Sequence, residues 1–401
     1  MSDTKTASVR TVFEIIRLAL CNGLGISIAV VSVAVSALVS REIGWEGTWA
    51  TVPYGIQFLS ILLVTMPCAN LMARFGRKPI FAAATVFGIV GGLVGFWAVR
   101  QGDPLFLCLA HALIGVQLAN TNFYRFAALE VADERNRASA ISLVVFGGTF
   151  AAFLGPQLSR WDIFSTVVFE SAYLSISALA VAGLLLVAGA RIPRPKIPQT
   201  KLRLSNIKTA FANPTFTLGL LTAAIGYGLM NLLMIGASIS MDICDISYTD
   251  ISFTVQYHVL AMFVPSLFMG FLIRKLGVWS IIIAGVTLMG VSAVIAATIP
   301  FALIGYQAAL ILLGLSWNMM YVGGSFVIAQ SSPPEQSIGL QAVSDTTIGI
   351  AAMLGAFLPG LLLEYFGWRN TNFGVIAILL FLFLLILVQK LRTFSKSDDN
   401  I

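Results

Sequence analysis

Charge is what this chain has least of. Asp, Glu, Lys and Arg make up 10% of its 401 residues and apolar types 58%, with a mean hydropathy of +0.91. A soluble protein of this length would lack the polar surface to cover so large an apolar content. A chain embedded in lipid needs no such cover, so the expected surroundings are a bilayer. The formal net charge of +6 comes from basic residues in the short gaps between apolar runs. They form no patch with interleaved aromatics, so no nucleic-acid partner is expected.

Histidine and cysteine are scarce too. The two histidines, His111 and His258, and the four cysteines, Cys21, Cys68, Cys108 and Cys244, lie far apart with no CxxC pair. That disfavours a zinc site or a redox dithiol, and no metal or cofactor is expected. The absence of a GxxxxGK[ST] loop argues against an ATP-driven pump built into this chain. A polytopic membrane enzyme would need paired carboxylates, a metal cluster or a Ser/His/Asp set at membrane depth, and none is visible. A membrane sensor that binds solute without moving it is the other competing class.

What the chain does have is long apolar runs. A spanning helix takes about 20 residues. Such runs are predicted at 13–39, 49–72, 79–99, 104–129, 138–158, 167–190, 215–240, 252–273, 279–299, 302–329, 338–363 and 371–389. The polar first dozen residues precede a run too long for a signal-peptide core, so it reads as an uncleaved first span. The expected fold is an all-α membrane protein of twelve transmembrane helices in two six-helix bundles. The bundles are residues 1–190 and 213–401, joined over 191–212 by a basic, proline-containing linker that includes "RIPRPKIPQTKLRLSNIK".

Lys and Arg fall in alternate loops. One set takes the N-terminus (Lys5, Arg10, Arg17), the 2–3 loop (Arg74, Arg77, Lys78), the 4–5 loop (Arg135, Arg137), the linker, the 8–9 loop (Arg274, Lys275) and the tail. The opposite loops hold only Arg41, Arg100, Arg160 and Arg369. Positive loops stay cytoplasmic, so both termini are expected inside, in the cell inner membrane.

The halves also echo each other at an offset of about 200 residues: Gly76 with Gly277, "AAFLG" from Ala151 with "AAMLG" from Ala351, Gly23 and Gly25 with Gly226 and Gly228, and Asn120 with Asn318. Four matches in one order point to a duplicated six-helix unit, which places a substrate site between repeats near the bilayer midplane.

The stretch "NLMARFGRKP", Asn70 to Pro79, concentrates three cations within five positions, Arg74, Arg77 and Lys78, around Gly76. It resembles the 2–3 loop signature of the major facilitator superfamily, Gly-x3-Asp-Arg-x-Gly-Arg-Lys/Arg, and the resemblance covers nearly the whole chain. It departs from that signature at Ala69 and Ala73, which stand where the family has glycine and aspartate. The resemblance implies a gating latch on the inner side made by Arg74, Gly76, Arg77 and Lys78, with Glu130 at the end of span four. Asp345 in span eleven is a substitute for the missing acid or, equally, a cap at its helix N-terminus. The strings "NFYRFAALE", "QYHVLAMFVPSLFMG", "GLSWNMMYVGG" and "LQAVSD" look like a bacterial subgroup of these permeases, some labelled riboflavin or drug transporters. In this fold, spans one, four, seven and ten line a central cavity. The resemblance implies a monomeric secondary transporter working by alternating access, with an aromatic or anionic metabolite such as a flavin as the expected solute and metabolite or drug efflux as the alternative.

Polar groups inside spans are costly and usually face a cavity or the bundle interior. In span four, Gln117, Asn120, Thr121, Tyr124 and Arg125 share an arc of about 140° at 100° per residue. Arg125 suits a carboxylate, phosphate or carbonyl, with pairing to Asp345 that gates the halves, or snorkelling to the interface, as the alternatives. Trp317, Asn318, Tyr321 and Ser325 share a face of span ten that could clasp a flat ligand, with ordinary packing as the alternative. Tyr227 and Asn231 make a weaker pair in span seven. His258 could carry protons, or be a neutral buried imidazole; Asp345 is the other candidate for proton coupling. Glu14, Glu170, Asp242 and Asp245 fall near span ends and are expected to face water.

Overall fold

The structure is a computed structural model that describes residues 2–132, 140, 143–144, 146–159, 167, 169–192, 204–299, 302–332 and 337–398. Among the described residues every regular element is a helix. The α-helices are α1 (Ser2–Glu42), α2 (Val52–Phe75), α3 (Arg77–Gln101), α4 (Pro104–Thr121), α5 (Tyr124–Val131), α6 (Ala151–Ser159) and α7 (Glu170–Gly189). They continue as α8 (Leu204–Ala212), α9 (Pro214–Ile243), α10 (Tyr248–Phe263), α11 (Ser266–Leu276), α12 (Val278–Thr298), α13 (Leu303–Ser331) and α14 (Ser337–Asp398).

Local chemistry sets the breaks. Gly76 sits at φ 90°, ψ 163° between α2 and α3, and Gly277 at φ 80°, ψ 146° between α11 and α12. A side chain at either φ would be strained, so glycine lets one helix stop and the next start without a loop. Asp103 accepts from the N–H groups of Leu105 and Phe106 at 2.9 and 3.1 Å and opens α4, with Pro104 following it. Asn213 and Pro214 open α9 in the same way. Both arrangements satisfy donors that a helix start leaves orphaned.

Among the described residues, nine helices are long and apolar enough to cross a membrane, or ten if α10 and α11 form one span bent by 45°. Two features separate this number from twelve. The expected fifth span, 138–158, lies partly outside the described residues. The expected eleventh and twelfth fall within the single helix α14, whose apolar stretch Val343–Gln389 has 47 residues. At 1.5 Å per residue that is about 70 Å, twice the ~30 Å of a bilayer core. Gly367, at φ 70° and ψ 170°, leaves helical geometry within it, between the two expected spans. Span four also differs: instead of running unbroken over 104–129 it stops at Asn122 and Phe123. There Phe123 N–H turns to Asn120 O at 3.0 Å, while Asn120 Nδ2 and Thr121 Oγ1 bond back to Val116 O and Gln117 O. Such back-bonding competes with the ladder and tightens the turn.

The chain packs as two compact units, residues 1–197 with 247–256, and residues 198–246 with 257–401. In the first, Ile28, Val35, Leu107, Ile114, Tyr173 and Ile176 of α1, α4 and α7 form one core and Leu18, Met72, Phe81 and Tyr124 another. In the second, Phe216, Leu220, Ile328, Leu340 and Ile348 of α9, α13 and α14 pack together. Large apolar side chains such as Leu63, Leu185, Phe268 and Phe381 point outward and are exposed, as lipid-facing residues are.

Candidate functional site

In the first unit the polar stripe of span four turns into helix packing. Gln117 is buried, and its side chain fills the space that a Cβ at Gly88 of α3 would need. Asn120 donates to Cys68 Sγ on α2 at 3.4 Å and to Val116 O at 2.8 Å. Thr121 packs on Gly25 of α1. Tyr124 is buried with its ring 4.5 Å from that of Phe81. Arg125, next on the chain, is half-buried. Gln117 Oε1 and Asn120 Oδ1 are buried acceptors without a hydrogen-bond partner among the described residues. Their orientation leaves two unmet acceptors one turn apart, a costly arrangement.

The second unit gathers its aromatic residues. The rings of Trp317 and Tyr321, one turn apart on α13, stack at 5.1 Å and 6°. Tyr227 of α9 stands edge-on to both, at 5.6 and 5.7 Å. Phe263, the last residue of α10, meets Trp317 at 6.2 Å. Phe263 did not stand out in the sequence, although the nearby Pro265, which cannot continue the hydrogen-bond ladder, marks the break that presents its ring. Trp317 Nε1 and Asn318 Oδ1 are buried without partners among the described residues. Asn318 Nδ2 donates to Met262 O at 2.7 Å and Ser266 Oγ at 2.5 Å. Asn231 is buried and donates to Ala352 O at 3.0 Å. His258 is buried, with Nδ1 2.8 Å from Leu310 O. A carbonyl only accepts, so Nδ1 carries a proton; Nε2 has no partner among the described residues.

The two units repeat one set of bonds at a constant offset of 198 residues. Asn120 to Cys68 becomes Asn318 to Ser266, and Ser60 Oγ to Ala112 O becomes His258 to Leu310 O. Pro67 inside α2 has its counterpart in Pro265. The aromatic cluster is not repeated: Trp317, Tyr321 and Phe263 fall opposite Ala119, Phe123 and Thr65. The scaffold is duplicated, and the aromatic face belongs to the second copy.

At the 2–3 turn, Arg77 pairs with Glu130 through two hydrogen bonds, Nε to Oε2 at 2.8 Å and Nη2 to Oε1 at 2.6 Å. Arg74 is exposed, with its guanidinium 5.2 Å from the Phe75 ring; Lys78 is half-buried. Asp345 is exposed and lies eight residues past the start of α14, beyond any N-cap position. Glu170 departs from expectation: it is fully buried rather than facing water. Among the described residues no group of three potential metal ligands occurs.

Known proteins resemble this chain along most of its length. The riboflavin transporter RfnT of Brucella anthropi is 29% identical over 377 residues, covering 92% of this chain and 94% of its own. The uncharacterized transporter YdeG of Bacillus subtilis is 24% identical over 377 residues, covering 89% and 86%. Among solved structures, a bacterial homolog of the human lysosomal transporter Spinster, inward-facing and unoccupied, superposes with a TM-score of 0.73 at 15% identity over 96% of this chain and 98% of its own. The nucleoside transporter NupG does so with 0.68 at 12%, over 94% and 98%. These likenesses show the fold. The model of the Major Facilitator Superfamily matches residues 18–339 and 233–399: the chain is a multi-pass membrane transporter, not an enzyme, and belongs to that superfamily.

Proposed function

We propose that this transporter carries a flat aromatic solute of the flavin class by alternating access, driven by protons. The observation that carries the reading is the cluster of Trp317, Tyr321, Tyr227 and Phe263, with the buried Trp317 indole N–H and Asn318 amide oxygen, which lack partners among the described residues. Stacked and edge-on rings supply π-faces for a planar ligand, and the unmet donor and acceptor suit its polar rim. The name of the Brucella relative supports the same class. In the second unit Asn231 joins the proposed set; in the first, Gln117, Asn120, Tyr124 and Arg125 are the proposed substrate residues, with Arg125 for an anionic or carbonyl group.

Proton exchange is proposed at His258 Nε2, with Asp345 as a second titrating group. Arg74, Gly76, Arg77, Lys78 and Glu130 are proposed as the gate, with twelve spans, bundles at 1–190 and 213–401, both termini in the cytoplasm, the inner membrane as location and a monomer as the working unit. Export of aromatic compounds by proton antiport is the second reading. The glycines of span five, Gly147, Gly148 and Gly155, match the family's antiporter-associated motif only in part, without its closing Gly-Gly, and do not choose between export and import. Riboflavin uptake and efflux in proteoliposomes, under an imposed pH gradient of either sign, test both readings. Flux in neither direction would sink them together.

A further inference from the structure

The same proline stands in both copies, and only one copy breaks at it. Pro67 lies inside α2, which runs on from Val52 to Phe75. Its counterpart Pro265 separates α10 from α11, and these two helices meet at a bend of 45°. A proline removes one hydrogen bond and crowds the carbonyl four residues back, so it permits a break, but α2 shows that it does not dictate one.

At Pro265 the ladder changes step. Val264 N–H still reaches back four residues, to Leu260 O at 2.9 Å, whereas Leu267 and Phe268 reach back only three, to Val264 O at 3.3 Å and Pro265 O at 3.0 Å. Such a change leaves carbonyls at the end of α10 in need of other partners. Asn318 of α13 serves one of them. Its Nδ2 donates to Met262 O, before the break, and to Ser266 Oγ, after it, at 2.7 and 2.5 Å. An amide nitrogen has two hydrogens, so both are spent across the break, and a carbonyl accepts only, so Met262 O keeps the amide from turning over. In the first copy Asn120 donates instead to Cys68 Sγ and to Val116 O of its own helix.

Each half of the bent span has its own anchor. Before the break Gly314 lets α13 close on α10: a Cβ there would lie 2.4 Å from His258 O and 3.1 Å from Met262 N. Beyond it, Met269 and Ile273 of α11 pack with Ile281 of α12. Residues 264–266 are left as the joint. The unbroken α2 is tied differently, by a chain of buried hydrogen bonds whose direction can be assigned throughout. Ser32 Oγ donates to Ala29 O at 2.9 Å, so it accepts from Gln57 Nε2 at 3.1 Å. Gln57 Oε1 is left to accept from His111 Nδ1 at 2.8 Å, and His111 Nε2 accepts from the Tyr173 hydroxyl at 2.8 Å. These bonds join α1, α2, α4 and α7. The positions 198 residues further on are Met230, Val255, Ala309 and Thr371; of these only threonine has a hydroxyl, so the chain has no counterpart in the second copy.

We propose that the Pro265 break is a hinge of the solute site and that Asn318 is its positioning residue. While Asn318 holds Met262 O and Ser266 Oγ, α10 and α11 keep their angle and Phe263, the last residue of α10, stays against Trp317 at 6.2 Å. When the amide lets go, α10 and α11 straighten as α2 does, and the Phe263 ring leaves the aromatic cluster. The role in transport rests on the aromatic-solute reading above; the hinge itself does not.

The test uses the full chain in lipid nanodiscs with Phe263 replaced by 4-fluorophenylalanine. Its fluorine resonance should be displaced by the Trp317 ring, and Trp317→Leu marks the undisplaced position. Asn318→Ala and Pro265→Ala should each move the resonance to that position. Ser266→Ala, which keeps the bond to Met262 O, should move it part of the way, and it stands in should Asn318→Ala not fold. With riboflavin as the probe, flavin fluorescence quenching in the unlabelled chain should show affinity lowered about fivefold by Pro265→Ala, the worth of one aromatic contact, and less by Ser266→Ala. A resonance that stays in place in Asn318→Ala overturns the hinge, since a merely structural amide would lower stability without moving the Phe263 ring. Wild-type riboflavin affinity in a Pro265→Ala chain whose resonance has moved overturns the link to the solute site. If riboflavin does not bind the wild type, the solute reading fails while the fluorine arm still decides the hinge.

Discussion

Arg77 and Glu130 meet through two parallel hydrogen bonds of 2.8 and 2.6 Å, joining the first residue of α3 to α5. The pair is partly buried, at 11% and 20% side-chain exposure. A planar fork is required: lysine offers a single point charge and no second donor along the carboxylate. A double-mutant cycle with Arg77→Gln and Glu130→Gln, read by thermal unfolding in detergent, should give a coupling of about 1 kcal/mol. That is below the ~1.5–3 kcal/mol of a buried charged hydrogen bond because both side chains reach water. Arg77→Lys should lose most of it. Additive single effects would show that the pair contributes nothing to stability.

The repeat allows an exchange test. Cys68 and Ser266 occupy matching positions and accept from matching asparagines, at 3.4 Å to sulfur and 2.5 Å to oxygen. Hydroxyl is the better acceptor, and the two side chains differ little in size. Cys68→Ser should therefore be neutral or raise the unfolding temperature slightly, while Cys68→Ala should lower stability by about 1 kcal/mol through the unmet Asn120 amide. Equal losses for Ser and Ala would mean that the contact at Cys68 is packing alone.

Much of the architecture was legible because membrane spans announce themselves by length and hydropathy, and because Gly76 and Gly277 mark their turns by residue type. The direction of polar side chains was less so. A helical wheel put Gln117, Asn120 and Tyr124 on one arc, but it cannot say which neighbour occupies that arc. Gly88 on α3 leaves the space that Gln117 enters, and Phe81 takes Tyr124. Glu170 misled for a related reason: its place at a span end says nothing of whether Arg100 and the residues around it close over it. Trp317 and Tyr321 were legible, being four residues apart on one helix, whereas Tyr227 and Phe263 complete the cluster from helices distant in sequence.

The aromatic cluster predicts a graded response at Trp317. Trp317→Phe keeps a ring against Tyr321 but removes the indole N–H, which has no partner among the described residues; Trp317→Ala removes both. Aromatic contacts are worth about 0.5–1.5 kcal/mol beyond buried area, so the alanine variant should weaken riboflavin binding roughly tenfold, measured by flavin fluorescence quenching. Trp317→Phe should retain part of the affinity for riboflavin and show little loss toward analogues that keep the ring but lack a ring carbonyl. Wild-type affinity in Trp317→Ala would move the solute away from α13.

The chain from Ser32 to Tyr173 predicts a stability signature of its own. Tyr173→Phe leaves His111 Nε2 buried without its donor, and Ser32→Ala leaves Gln57 Nε2 without its acceptor. Each should cost about 1–3 kcal/mol, the penalty of a buried unmet polar group. The two sites lie at opposite ends of one directional series, Ser32 on α1 and Tyr173 on α7. Once either end is removed, Gln57 and His111 can reorient, so the second loss should cost less than it does alone. Thermal unfolding of the two singles and the double is therefore expected to show sub-additive losses. Strict additivity would mean that the four residues act as separate pairs, and that α7 is not coupled to α1 through them.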